Sequence, residues 1–212
     1  MSTGTRALPL FLGFALLGFV WSAPFAAHGI GPFTAHMLRH MTLVAIAAPL
    51  LVSGLPGAAA WRAVPPLLAS AIEFAVVWGW HLPLLHDAAR ATAVPFALEQ
   101  ATFLASGLLV WGAALQKGQE LAGAVALLLT SMHMTLLGAL IVLSPAPLYL
   151  CTLEPGLALD DQRLGGVLML LIGTSAYLVG GLALVRKALA PERASAASAS
   201  ARPTTVTPEP RP

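Results

Sequence analysis

The sequence predicts an all-α integral membrane protein, a bundle of about six transmembrane helices with both termini in the cytoplasm. Three observations lead there. Of the 212 residues 58% are apolar and only 9% charged, against about 25% charged in soluble domains. Apolar stretches near the ~20 residues needed to cross ~30 Å of hydrocarbon recur along the chain. Basic residues collect in alternate connections, as they do on the cytoplasmic side of membrane proteins. The net charge of +2 is therefore a topology signal. No Lys/Arg run with interleaved aromatics occurs, so nucleic acid is not an expected partner.

Punctuation by Pro, Gly and charge places helices at about 7 to 23, 33 to 54, 65 to 84, 95 to 116, 121 to 143 and 165 to 185. Proline stands where a helix start tolerates it, at Pro32, at Pro65 and Pro66, and at Pro95. These six spans make up a polytopic domain over residues 1–190. Residues 191–212 are rich in Ala, Ser, Pro and Thr, cannot bury a core and are expected to form a disordered tail. The first segment also has the outline of a signal peptide, with Arg6 ahead of an apolar run. Cleavage after Ala23, Ala26 or Ala27 puts Trp21, Pro24 or Phe25 at −3, where a small residue is wanted, so the segment is read as a retained helix. The single cysteine, Cys151, permits no disulfide within the chain and no CxxC motif.

With an inside N-terminus, Arg6, Arg62, Lys117, Arg186, Lys187, Arg193, Arg202 and Arg211 fall on the cytoplasmic side and Arg39, Arg90 and Arg163 outside. The acidic Asp87, Glu154, Asp160 and Asp161 are then assigned to outer loops.

Charged groups cost roughly 2.5–3.5 kcal/mol at the centre of a membrane helix, so the positions of ionisable residues within the spans are informative. His36, Arg39 and His40 fall on the second helix, Glu73 and His81 on the third, Glu99 on the fourth and His133 on the fifth. His36 and His40, at i and i+4, share one helical face. Four methionines adjoin histidines in HMLRHM and MHM: Met37, Met41, Met132 and Met134. Thioether sulfur with imidazole nitrogen is a ligand set that suits Cu(I). Against this, Met37 and Met41 point about 100° away from the neighbouring histidines, and methionine is an ordinary gap-filler. Two readings stand, a metal site or histidines that hydrogen-bond neighbouring helices.

Depth favours a site. His36, His40, His81 and His133 all fall in the outer half of the bilayer, whereas Glu73 lies nearer its middle and reads as a buried protonated or paired carboxyl. Arg39 is expected to pair with Glu99 or to snorkel outward. Trp78 and Trp80 are interfacial aromatics near a helix end, and His28 and His86 read as solvated loop residues. The candidate metal ligands are thus His36, His40, His81, His133, Met37, Met41, Met132 and Met134. No GxSxG, HExxH, Walker loop or GxGxxG is present, so the motifs support no hydrolytic or nucleotide chemistry and an enzyme is not expected.

Together HMLRHMTLVAIAAPLLVSGLP, VVWGWHLPLLHDAA, LEQATFLASGLLVWG, SPAPLYL and DDQRLGGVLML resemble the caa3-type cytochrome c oxidase assembly factor family, CtaG, over about residues 33 to 185. The resemblance implies a multi-pass factor of the bacterial inner membrane. Its role would be the assembly of an active haem-copper oxidase, with membrane subunits of cytochrome c oxidase as partners, copper as a transient cargo and a periplasmic copper donor upstream. The family's candidate positions map to His36, His40, His81 and His133. Members often carry a histidine beside the glutamate of the fourth helix, where this chain has Gln100 beside Glu99.

Two other functions compete. A copper transporter or resistance permease needs a ligand path across the bilayer, and the inner half offers only Glu73. A membrane haem protein would use two histidines as axial ligands. The topology is testable: alkaline phosphatase fused after Pro147 should be active and fused after Lys117 nearly inactive, and the reverse pattern overturns the orientation.

Overall fold

A computed structural model describes the backbone of residues 3–55, 63–150 and 153–200, and the side chains of these except residues 3–5, 26 and 191–200. All regular elements among them are helical. In chain order they are α1, Thr3–Ser22; α2, Pro32–Gly54; α3, Pro66–Trp80; α4, Pro83–Ala91; α5, Ala93–Ala114; α6, Glu120–Leu143; and α7, which starts at Pro155 and continues through Ser175–Ser200. α2 and α7 each contain a π turn, at Thr42–Ala47 and Met169–Thr174.

Four helices, α2, α5, α6 and α7, are long and apolar enough to cross a membrane, and α3 with α4 makes a fifth if that pair is one span bent by 72°. The apolar part of α1, Arg6–Ser22, is shorter. The expected third helix, 65 to 84, is corrected: it stops at Trp80 and the chain turns sharply. Pro83 is the cause. Its ring cannot occupy a helix interior but suits the first turn of a new helix, and Leu82 before it is extended, as a residue preceding proline prefers. The last helix starts at Pro155, not near 165, and Asp87, Asp160 and Asp161 are helical residues, not loop residues. α7 is described to Ser200, within the segment read from composition as a tail; Ala201 onward, Arg62 and Cys151 lie outside the described residues.

The bundle is apolar on its surface as well as in its core. Large apolar side chains cover its outward faces, among them Phe11, Phe14 and Phe19 of α1 and Leu136, Leu140 and Leu143 of α6. Such a surface suits hydrocarbon. Inside, α2 runs against α1, α5 and α7, while α3 packs on α5 and α6, and α6 lies along α7. Glycine permits the closest approach: a Cβ on Gly166 of α7 would sit 3.2 Å from the carbonyl oxygen of Gly138 in α6, the small-residue contact by which membrane helices bring their backbones together.

Polar ties fix the register. The Asp161 carboxylate of α7 accepts from the first-turn amides of α2, Phe33 N at 2.8 Å and Thr34 N at 3.0 Å. A helix leaves its first N–H groups without internal partners, and here a carboxylate from another helix satisfies two of them. Gln162 holds the preceding connection, accepting from Leu148 N and donating to the Ile141 carbonyl. At mid-bundle the Val44 carbonyl, in the π turn of α2, lies within hydrogen-bond reach of the Trp111 indole N–H of α5 and of the Tyr177 hydroxyl of α7. Tyr177 also bonds the fully buried Glu73 of α3. The N-terminal end of α2 is thereby clamped to α7, and its middle to α3, α5 and α7.

Candidate metal centre

His36 and His40 project from the N-terminal half of α2, one turn apart and nearly dry, at 4% and 0% exposure. His81 caps the C-terminus of α3, where its backbone N–H bonds the Val77 carbonyl. Its ring is oriented by a second bond at the same place, Nδ1 lying 2.6 Å from the Val77 carbonyl oxygen. A carbonyl only accepts, so Nδ1 carries the proton and Nε2 keeps the lone pair, the orientation that a metal-ligating imidazole needs. The Tyr149 hydroxyl donates to the His81 carbonyl and closes that helix end. The rings of His36, His40 and His81 lie 5.3 to 6.1 Å apart, centre to centre. One nitrogen from each falls within a 4.8 Å span.

A second group adjoins the first. His86 of α4 and Glu99 of α5 meet His36 within the same span. The His36 and His86 rings are 4.7 Å apart, edge to face, and His36 Nδ1 lies 3.6 Å from Glu99 Oε1. The remaining Glu99 oxygen accepts from Gln100 Nε2. Phe103 of α5 stacks on His40 at 3.9 Å.

The unusual property of this cluster is what it leaves unpaired. His36 Nε2, both ring nitrogens of His40, His81 Nε2, His86 Nδ1 and Glu99 Oε1 are buried without a hydrogen-bond partner. An orphaned buried polar atom costs ~1–3 kcal/mol. Six such atoms converge from four helices; with one nitrogen lone pair to each neutral imidazole, they offer a donor set of four imidazoles and one carboxylate that fits a borderline transition-metal ion.

Sequence reading placed most of these residues but not all. The structure brings His36, His40 and His81 together as expected. It corrects His86, which is 1% exposed and part of the centre, not a solvated loop residue. In an unbroken helix His81 and His86, five positions apart, would diverge by about 140°. The bend at Pro83 turns both inward, and the proline two residues after a histidine was the available signal. His28 is exposed, as read.

Arg39 is not within ion-pair distance of Glu99; its guanidinium lies over the Phe25 ring, 4.9 Å from the centroid. His133 joins neither group among the described residues. Its ring meets Phe74 edge-on at 5.4 Å, beside an outward apolar groove that it lines with Met132. The thioethers also lie elsewhere: Met37 and Met41 pack against Gly165 and Gly173 of α7, Met134 is buried beside Gly173, and Met132 is 66% exposed.

Among the described residues, membrane-length apolar helices surround a buried cluster of histidines and a carboxylate, and this defines a helical membrane protein with a candidate metal centre. The chain belongs to the cytochrome c oxidase caa3 assembly factor family (Caa3_CtaG), whose model matches residues 2–190. No curated protein and no solved structure matched it.

The unpaired nitrogens separate binding from stability. His40→Leu, of similar bulk and lacking both orphans, should leave the metal-free protein as stable as wild type or stabilise it by about 1 kcal/mol. Asp161→Ala should cost about 1–3 kcal/mol by stranding two buried amides. Thermal unfolding in detergent checks both, and a His40→Leu loss equal to that of Asp161→Ala would mark His40 as structural.

Proposed function

We propose that this protein binds Cu(I) transiently at the histidine centre and presents it to a membrane subunit of a haem-copper cytochrome c oxidase during assembly. The proposal includes residence in the bacterial inner membrane as six spans with both termini inside, a role without catalysis, and supply by a periplasmic donor. The observation that carries the reading is the convergence of buried, unpaired imidazole nitrogens at one end of the bundle. The family supplies the link to the oxidase.

The chemistry suits a carrier. Cu(I) accepts two or three neutral imidazoles in low coordination, and an incomplete set leaves a route for exchange that a closed four-ligand cage would lack. Burial keeps competing water away, and Val77 holds His81 in the ligating tautomer. Met37, Met41, Met132 and Met134 are not needed for this site: their placement favours packing or lipid contact over coordination.

A transporter is less well supported. Phe103 stacks on His40, and the buried Glu73 is bonded to Tyr177 and joins neither ligand group. The three readings diverge on substitution. His40→Ala should abolish assembly of the active oxidase while the variant accumulates in the membrane at wild-type level, scored by haem-copper oxidase activity and immunoblot. Normal oxidase activity in copper-limited medium would contradict the carrier reading, copper uptake into sealed vesicles would favour transport, and a Soret band in the purified protein would favour haem.

A further inference from the structure

The two ligand groups share one residue, and they differ in access. A cavity of about 420 Å³ reaches the centre and is lined by His36, Arg39, Arg90, Phe96, Glu99 and Gln100, whereas His40, His81 and His86 do not line it. His40 is fully buried beneath Phe103, itself fully buried. Glu99 and His36 are therefore the first ligands that an incoming ion meets, and His86 and the His40–His81 pair lie away from the cavity.

Resting on the carrier reading above, we infer that the cargo ion is loaded through two stations that share His36: an entry station of Glu99 and His36, which line the cavity, with His86 behind them, and a holding station of His36, His40 and His81. A neutral imidazole has one nitrogen lone pair, so His36 serves one station at a time and the chain holds one ion. In the transfer the bonds from Cu(I) to the Glu99 oxygen and the His86 nitrogen break as bonds to the His40 and His81 nitrogens form. Lone pairs alone exchange, and Cu(I) neither gains nor loses an electron.

The direction follows from ligand hardness. A carboxylate oxygen is a poor partner for a soft monovalent ion, and imidazole is a better one, so movement inward is downhill. Glu99 can release the ion because its other oxygen is held by Gln100 at 3.1 Å. His36 can follow the ion because its ring makes no hydrogen bond, only the 3.6 Å approach to Glu99. Arg39 and Arg90 share the cavity, which disfavours entry of a bare cation and favours acceptance from a negatively charged donor ligand.

The test uses the purified full chain in detergent, mixed by stopped flow with the anionic Cu(I)–bicinchoninate complex, and reads both the rate of Cu(I) withdrawal and the final stoichiometry. Wild type should take up one equivalent. Glu99→Gln should slow withdrawal about 10–100-fold while weakening equilibrium binding much less, and His81→Ala should weaken binding about 10–100-fold while slowing withdrawal much less. Glu99→Asp should recover part of the rate, which separates the carboxylate's role from a general loss of structure. Two equivalents bound at once, or rate and affinity falling in parallel in both variants, overturns the two-station relay but leaves the carrier reading intact. A wild-type chain that withdraws no Cu(I) overturns the carrier reading, and the relay falls with it.

Discussion

A polar group away from water has to find its partner within the protein, and in a bundle with an apolar exterior that demand governs almost every polar side chain. Asp161 takes up the first amides of α2, Gln162 holds the connection before α7, and Trp111 and Tyr177 converge on the Val44 carbonyl. Each tie costs little because both partners are satisfied, and removal of either partner strands the other. Against this background the histidine centre stands out by concentration. Six buried unpaired atoms gather there, while His133, Trp78 and Glu73 hold the other four among the described residues, and a cluster of this kind is explained where a ligand completes it.

The same ties position the site. α2 carries two of the three proposed holding ligands, and the Asp161 carboxylate fixes its N-terminal end against α7. α3 brings His81, its ring set by Val77 and its helix end closed by Tyr149. α4 exists as a separate element because Pro83 forces the chain to turn, and that turn delivers His86 to a centre that a straight helix would have missed. α5 contributes Glu99 at the cavity and Phe103 beneath it. The DQRLGG segment, by which the chain was likened to its family, thus serves the site without touching it: Asp161 and Gln162 bond backbone, while Gly165 and Gly166 admit Phe33 and the backbone of α6.

Much of this was legible in the sequence, for identifiable reasons. Apolar length and proline placement gave most of the helices, because lipid leaves the backbone few alternatives. The i, i+4 spacing gave His36 and His40 one face, and depth along the helices brought His81 to the same level. His86 was lost because helical periodicity does not see across a bend. His133 was kept for sharing the outer half, but its own azimuth on α6 turns it towards Phe74 and the outward groove. The methionines were drawn in by adjacency in sequence, which on a helix means separation by about 100°; Met37 and Met41 accordingly face α7. Asp161, read as an exposed loop acid, became a buried helix cap because α7 starts earlier than its hydropathy implied.

The central claim is that imidazoles, not thioethers, hold a Cu(I) cargo in this bundle. X-ray absorption at the copper edge of the full chain loaded with one equivalent of Cu(I) tests it most directly. The account predicts a low-coordinate Cu(I) with a nitrogen first shell and imidazole outer-shell scattering. A first shell dominated by sulfur would contradict it and return the site to Met37, Met41 and Met134.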